Sequence, residues 1–243
     1  MRIAVISDIH GNAFALEAVL EDIGQHAPDA ILNLGDHFHG PLDPARTAKM
    51  LAGLDALTIR GNTDRYFLYA EPETMDAGDR RVLEQLSPQT MTWLRALPAT
   101  ARFEDQIFMC HGTPASDSVY WLDRTEGEHF RKASLAEIEA ELPDNGFPLH
   151  CCGHTHIARI VTLPDGRIVF NPGSVGRPSF NMSDPESAVR AGPDAAYALL
   201  THGENGWTID LRQVPYDHEA AAALARANGS RKWERELLEG RRR

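Results

Sequence analysis

Apolar residues recur along this chain in two periods. Ile3 to Ile6 is a short β-branched run that stops at polar residues, the pattern of a buried strand. From Asn12 to Ile23 the apolar positions Phe14, Leu16, Val19, Leu20 and Ile23 fall at helical spacing. Ala30 to Leu34 predicts a second buried strand, Pro44 to Leu54 a second helix and Ala56 to Ile59 a third strand. This alternation of strand and helix predicts a parallel sheet. Residues 71 to 97 are amphipathic with a Ser87-Pro88 break, where a new helix can start.

The second half changes character. Ala101 to His111 predicts a hairpin turning near Glu104-Asp105-Gln106, and a helix from Ser134 to Leu142 lies within the mixed, polar stretch 113 to 148. Leu149 to Cys152 reads as a strand, and Ile157 to Leu163 and Arg167 to Phe170 as a hairpin about Pro164-Asp165-Gly166. Ala196 to Thr201 and Trp207 to Val214 predict a further strand pair, followed by a closing helix from Asp217 to Asn228. Arg231 to Arg243 is charged and reads as a frayed or helical end, with Arg241-Arg242-Arg243 a solvated tail.

With 243 residues, 42% of them hydrophobic and 24% charged, the chain can bury one core without disulfides and is read as one domain, 1–243. The net charge of −11 speaks against strong binding to nucleic acid, although bound divalent ions can reverse the field locally. The three cysteines, Cys110, Cys151 and Cys152, are a poor disulfide framework and read as small buried hydrophobes of a cytoplasmic protein. The apolar N-terminal run is too short for a signal peptide, and no run approaches the ~18 apolar residues of a membrane helix, so no membrane is expected.

Chemistry concentrates where predicted strands end: Asp8-Ile9-His10, Gly35-Asp36, Gly61-Asn62, Cys110-His111 and Gly153-His154-Thr155-His156. In open α/β sheets ligands bind beyond the carboxyl ends of strands. With 19 glycines and 11 histidines, chance supplies about 0.04 Gly-His-x-His runs, so that motif carries information by itself. Five segments each placing Asp, His or Asn directly after an apolar strand point to one metal site. The donors are oxygens from Asp8, Asp36 and Asn62 and imidazoles from His10, His111, His154 and His156. Such a mixed set suits Mn²⁺, Fe, Zn²⁺ or Ni²⁺ better than Mg²⁺ or Ca²⁺. Seven ligands are too many for one transition ion and suit two ions sharing a bridging carboxylate.

The order Asp8-x-His10, Gly35-Asp36, Gly61-Asn62, His111, Gly153-His154-x-His156 resembles the calcineurin-like metallophosphoesterase superfamily. Asn171-Pro172-Gly173-Ser174-Val175-Gly176 resembles its bacterial small-phosphoesterase branch, whose activities are of phosphodiesterase and dinucleoside-polyphosphatase type. The resemblance implies a four-layer α/β/β/α sandwich. It implies two divalent ions, Mn²⁺ favoured, with Asp8, His10 and His156 on the first, Asn62, His111 and His154 on the second, and Asp36 bridging. It further implies a bridging hydroxide as nucleophile and a small phosphorylated, nucleotide-like substrate.

One departure matters. Where many members carry Gly-Asn-His-Asp/Glu, this chain has Gly61-Asn62-Thr63-Asp64, and threonine is not a useful proton donor near neutral pH. His37 or His39 is then a candidate acid or phosphate contact, so Asp36, Asn62, Thr63, His37 and His39 are the catalytic candidates. The arginine that protein phosphatases of the superfamily carry after Gly-Asp is absent, which disfavours the alternative of a serine/threonine protein phosphatase. A second alternative, a non-catalytic metal-binding scaffold, has no need to keep seven ligand positions filled. Ser174 lacks a nucleophile elbow and reads as a turn beside the site. Asp117, Tyr120, Trp121, Arg177 and Phe180 fall in loops that follow site segments and are candidate pocket residues.

Overall fold

A computed structural model describes residues 1–126, 129–178, 192–204 and 206–240. Strand β1 (Arg2–Ile6) leads through Asn12, whose side chain caps the next helix by accepting from Ala15 N, into α1 (Ala13–His26). Then come β2 (Ala30–Asn33), α2 (Pro44–Ala52) with Asp43 as its cap, β3 (Leu57–Thr58), α3 (Asn62–Tyr69), α4 (Ala77–Gln85) and α5 (Pro88–Ala96). The second half holds β4 (Thr100–Phe103), β5 (Ile107–Cys110), β6 (Asp123–Glu126), β7 (His129–Lys132), α6 (Leu135–Glu139), β8 (Leu149–Cys151), β9 (Arg159–Thr162) and β10 (Ile168–Asn171). The chain closes with β11 (Ala195–Gly203), β12 (Gly206–Val214), α7 (His218–Ala227) and α8 (Arg231–Glu239).

Two five-stranded sheets form, ordered β12-β11-β1-β2-β3 and β4-β5-β8-β10-β9. The β1, β2 and β3 ladders are parallel, as the alternating pattern predicts, and β11 joins β1 antiparallel. Both faces of β1 are covered. Ile3 and Val5 meet Met109, Leu149, Cys151 and Phe170 of the other sheet, and Ala4 and Ile6 meet Leu16 and Val19 of α1. A strand buried on both faces reads as a continuous apolar run, which is why Ile3 to Ile6 is legible. On the far side of the second sheet, Phe108 and Val169 pack on Trp121, Ile138 and Phe147. The layers are α/β/β/α, although the last one has only the short α6, the β6–β7 hairpin and loops. All three cysteines are free and buried.

Two elements differ from the sequence reading, and a third settles a choice it left open. Residues 62–69 form a helix whose first turn is the Gly-Asn-Thr-Asp motif itself. The polar stretch after 113 contains the β6–β7 hairpin. Of the two states expected for the charged end, frayed or helical, Arg231 to Glu239 takes the helical one and is docked: Trp233, Glu236 and Leu237 are buried, and with Ala221, Ala222 and Ala225 of α7 they cover Leu42. Arg241-Arg242-Arg243 lies outside the described residues. Replacing Trp233 by Ala removes a ring that is 6% exposed, and the expected loss is about 3–5 kcal/mol in urea unfolding. An unchanged midpoint would show that α8 is not docked in solution.

Candidate functional site

The strands of both sheets end at one place, and the backbone there is strained. Among the described residues eight that are not glycine have positive φ, and five of them are Asp8, His10, Asp36, His154 and His156, between 52° and 68°. The left-handed region costs an ordinary L-residue roughly 1–2 kcal/mol, so these turns persist because their surroundings fix them. The amide of Asp8 donates to Gly35 O at 2.9 Å and that of His10 to Asp36 O at 2.9 Å, tying the end of β1 to the end of β2. Gly153 N donates to His111 O at 2.7 Å, and Asn171 Nδ2 donates to Gly153 O at 2.6 Å, fixing the Gly-His-Thr-His turn. Asp64, fully buried, accepts from the amides of Asp36, His37 and Gly61 at 2.8, 2.9 and 2.8 Å.

Two glycines of the motifs are packing requirements. A Cβ on Gly61 would lie 2.1 Å from Asp36 Oδ1, and one on Gly153 would lie 2.1 Å from Ser7 Oγ. Any side chain at either position displaces a site residue or its support.

All seven sequence-predicted ligands come together. Asp8, His10 and His156 form one group of donor atoms lying within 4.8 Å of one another, and Asp36, His111 and His154 form a second. Asn62, at the start of α3, brings its Oδ1 to 3.0 Å from His111 Nε2. Asp36 faces both groups, with Oδ2 3.8 Å from His10 Nε2 and Oδ1 3.4 Å from His111 Nε2.

The hydrogen-bond pattern around these donors fits cations. Backbone carbonyls hold three rings by Nδ1: His39 O for His10 at 2.8 Å, Leu34 O for His111 at 2.8 Å, and Arg177 O for His156 at 3.0 Å. A carbonyl accepts only, so Nδ1 carries the proton and Nε2 presents a lone pair. His10 Nε2 and His156 Nε2 then face each other at 3.2 Å, and Asp8 Oδ1 is buried without a partner. Two lone pairs and a carboxylate oxygen converging in a buried space repel unless a positive charge lies among them.

The electrostatics carry the same demand. Burial opposes ionisation of Asp8, yet His156 and then His111 hold its carboxyl below the usual range. Burial likewise opposes ionisation of Asp36, and His111 and His10 outweigh it. Burial disfavours charge on His111, but Asp36 and Asp8 push it up to about 10. Burial, then His111, pushes His154 down to about 4. The pull of Asp36 and Asp8 that favours positive charge at His111 is the pull a bound metal would meet, with Nε2 presenting its lone pair to the ion.

The remaining candidates separate. Thr63 donates its amide to Asp36 Oδ1 at 2.9 Å, and its hydroxyl is buried without a partner. His37 is fully buried, with Nδ1 2.8 Å from Asp64 Oδ2 and its ring 5.1 Å from Trp93. His39 instead stands at the edge, its side chain 29% exposed, Nε2 3.3 Å from Asp79 Oδ1 and ring 5.8 Å from His10. Burial is the main cause that lowers its pKa, against the pull of Asp79. Ser174 Oγ donates to Asp8 O at 2.9 Å, a supporting turn as predicted.

Among the loop residues, Tyr120 lies 4.6 Å from the His154 ring, and Asp117 is held by Arg65 through contacts of 2.6 and 2.9 Å. Trp121 is a core residue whose Nε1 donates to Ile138 O. Phe180 lies outside the described residues. The sequence reading passed over Trp233, whose ring sits 6.0 Å from His10 and under the Arg177 guanidinium at 4.1 Å. Its signal was the amphipathic spacing of Trp233, Glu236 and Leu237 within a charged stretch.

The chain is 25% identical, over 97% of its own length and 96% of the relative's, to an uncharacterised protein of Methanocaldococcus jannaschii. A crystal structure of a metallophosphoesterase from Sphaerobacter thermophilus superposes with a TM-score of 0.77 at 24% identity, covering 99% of each chain. Residues 1–194 match the model of the calcineurin-like phosphoesterase superfamily domain. The chain therefore belongs to the calcineurin-like phosphoesterase superfamily, and its enzyme class is that of the phosphoesterases.

Proposed function

We propose that this protein hydrolyses phosphodiester, phosphoanhydride or activated phosphomonoester bonds of a small nucleotide-like substrate, using two divalent ions, with Mn²⁺ favoured. The observation that carries the reading is the convergence of buried ligand atoms: His10 and His156 Nε2 at 3.2 Å from each other beside Asp8 Oδ1, which has no hydrogen-bond partner. Asp8, His10 and His156 would hold one ion, Asn62, His111 and His154 the other, and Asp36 both. Ions so held supply Lewis acidity, activating water and neutralising charge on the phosphoryl oxygens.

The chain's own residues do the rest. Backbone carbonyls orient three of the imidazoles, and the Asp64 carboxylate fixes the turn that presents Asp36. His39, not the walled-in His37, is the imidazole placed to exchange a hydrogen bond with the departing group. A protein-phosphatase reading lacks its arginine, and a scaffold has no use for a complete donor set. We also read residues 1–243 as one domain, because β11 and β12 extend the β1 sheet and α8 reaches the site. Among the described residues no helix is long and apolar enough to cross a membrane. Three free, buried thiols suit the cytoplasmic setting expected from the cysteine pattern.

Purified protein is expected to carry about two transition ions per chain and to lose phosphoesterase activity on chelation; full activity in the metal-free protein would refute the reading. Asp36→Asn should lower kcat/KM far more than Thr63→Ala. Asp36 faces both donor groups, whereas the threonine hydroxyl can offer substrate at most a neutral hydrogen bond, about 0.5–1.5 kcal/mol. Equal losses at saturating Mn²⁺ would show that Asp36 is misassigned.

His39→Ala is expected to slow alkyl phosphates roughly tenfold more than nitrophenyl phosphates, since poor leaving groups depend on a hydrogen bond as they depart. His37→Ala should act mainly on stability. Loss of the leaving-group effect in His39→Ala, or its appearance in His37→Ala, would exchange the two assignments.

A further inference from the structure

Beside the first donor group lies a cleft of about 680 Å³, within the ~300–1,000 Å³ usual for small-molecule sites. Its inner wall is His39, Arg177 and Trp233, and its flanks are α4 and the start of α8. It touches the site directly: the rings of His39 and Trp233 lie 5.8 and 6.0 Å from that of His10, and Arg177 O holds His156. Gly40 lets the walls close up, since a Cβ there would lie 2.6 Å from the Trp233 ring.

The charges lining the cleft are unequal in availability. Arg177 is consumed internally, bonded to Glu236 at 2.7 and 3.0 Å and stacked on Trp233. Asp79 is engaged with His39, and Asp76 caps α4 through Asp79 N at 2.9 Å. Two cations remain. Arg81, on α4, is exposed and gives one contact, NH1 to Asn228 O at 2.9 Å, with no carboxylate partner among the described residues. Lys232, on α8, is 68% exposed, and its ion pair is a long one, 4.0 Å to Glu236 Oε1, the carboxylate oxygen that Arg177 leaves free.

Building on the phosphoesterase reading, we infer that this cleft receives the leaving-group half of the substrate, and that Arg81 and Lys232 bind an anionic phosphate on it. The substrate class is then a phosphoanhydride of nucleotide type, whose leaving group is itself a phosphate. Water adds to the scissile phosphorus, and the bridging phosphorus–oxygen bond breaks with its electron pair on the departing phosphate. The proton from water passes to solvent. A guanidinium and an ammonium on opposing flanks suit this product, because charge-assisted contacts to phosphate oxygens are the strong ones.

The test compares ADP, which leaves AMP, with p-nitrophenyl phosphate, whose leaving group has no phosphate, using Mn²⁺-loaded full-length enzyme. The Arg81→Ala/Lys232→Ala double variant is expected to lower the ratio of kcat/KM for ADP to that for the aryl ester at least tenfold, through KM. Calorimetric binding of AMP should weaken by a similar factor. The pair Arg81→Lys and Lys232→Arg should recover most of both. An unchanged ratio together with unchanged AMP affinity would overturn the inference, as would equal losses for both substrates. Where wild-type protein hydrolyses neither compound, the AMP titrations alone decide the cleft, and hydrolysis of bis(p-nitrophenyl) phosphate separately tests the phosphoesterase reading.

Discussion

Two carboxylates buried at the seam between the sheets govern this molecule. Asp8 is fully buried and Asp36 is 2% exposed, and an ionised carboxylate out of water is stable only with opposite charge and hydrogen bonds around it. The fold answers with four imidazoles and an array of amides. Ser7 Oγ and His154 N donate to Asp8 Oδ2, Thr63 N donates to Asp36 Oδ1, and the second oxygen of Asp8 has no partner. That oxygen is where the protein's own compensation stops and a cation would complete it.

The same constraint explains the backbone. Side chains from strands of two different sheets must reach one point, and an ordinary extended exit from each strand would send them outward. The left-handed turns at Asp8, His10, Asp36, His154 and His156 redirect them inward. The strain is borne by hydrogen bonds between loops, such as Val175 N to Ser7 O and Gly176 N to Asp8 O, both at 2.9 Å. Each loop is held by another, so the site is preorganised as a unit. Glycine at 61 and 153 is the packing cost of drawing the loops this close.

A second chain of contacts ties the C-terminal helix to this centre. Arg177 holds His156 through its carbonyl and Glu236 of α8 through its guanidinium, and Trp233 fills the gap above Gly40 and His10. The α8 helix therefore closes one side of the site, and the cleft beside the first donor group has walls from segments far apart along the sequence, around His39, α4, Arg177 and the start of α8.

The sequence by itself determined the strands that are buried on both faces, the helices with strong caps, and the donor set. The reason is that each of these is written locally: β-branched runs, Asn12, Asp43 and Ser87 before helical spacing, and Asp, His or Asn directly after a strand. Helix α3 was hidden because its first turn doubles as a site motif, so its residues served chemistry rather than periodicity. Only the tertiary structure decided which of His37 and His39 reaches the edge of the site, because adjacent turn residues differ in burial through what packs on them. It also decided that α8 belongs to the site. Its charged composition resembles a solvated end, and the burial of Trp233 and Glu236 depends on Gly40 and Arg177, residues far away along the chain.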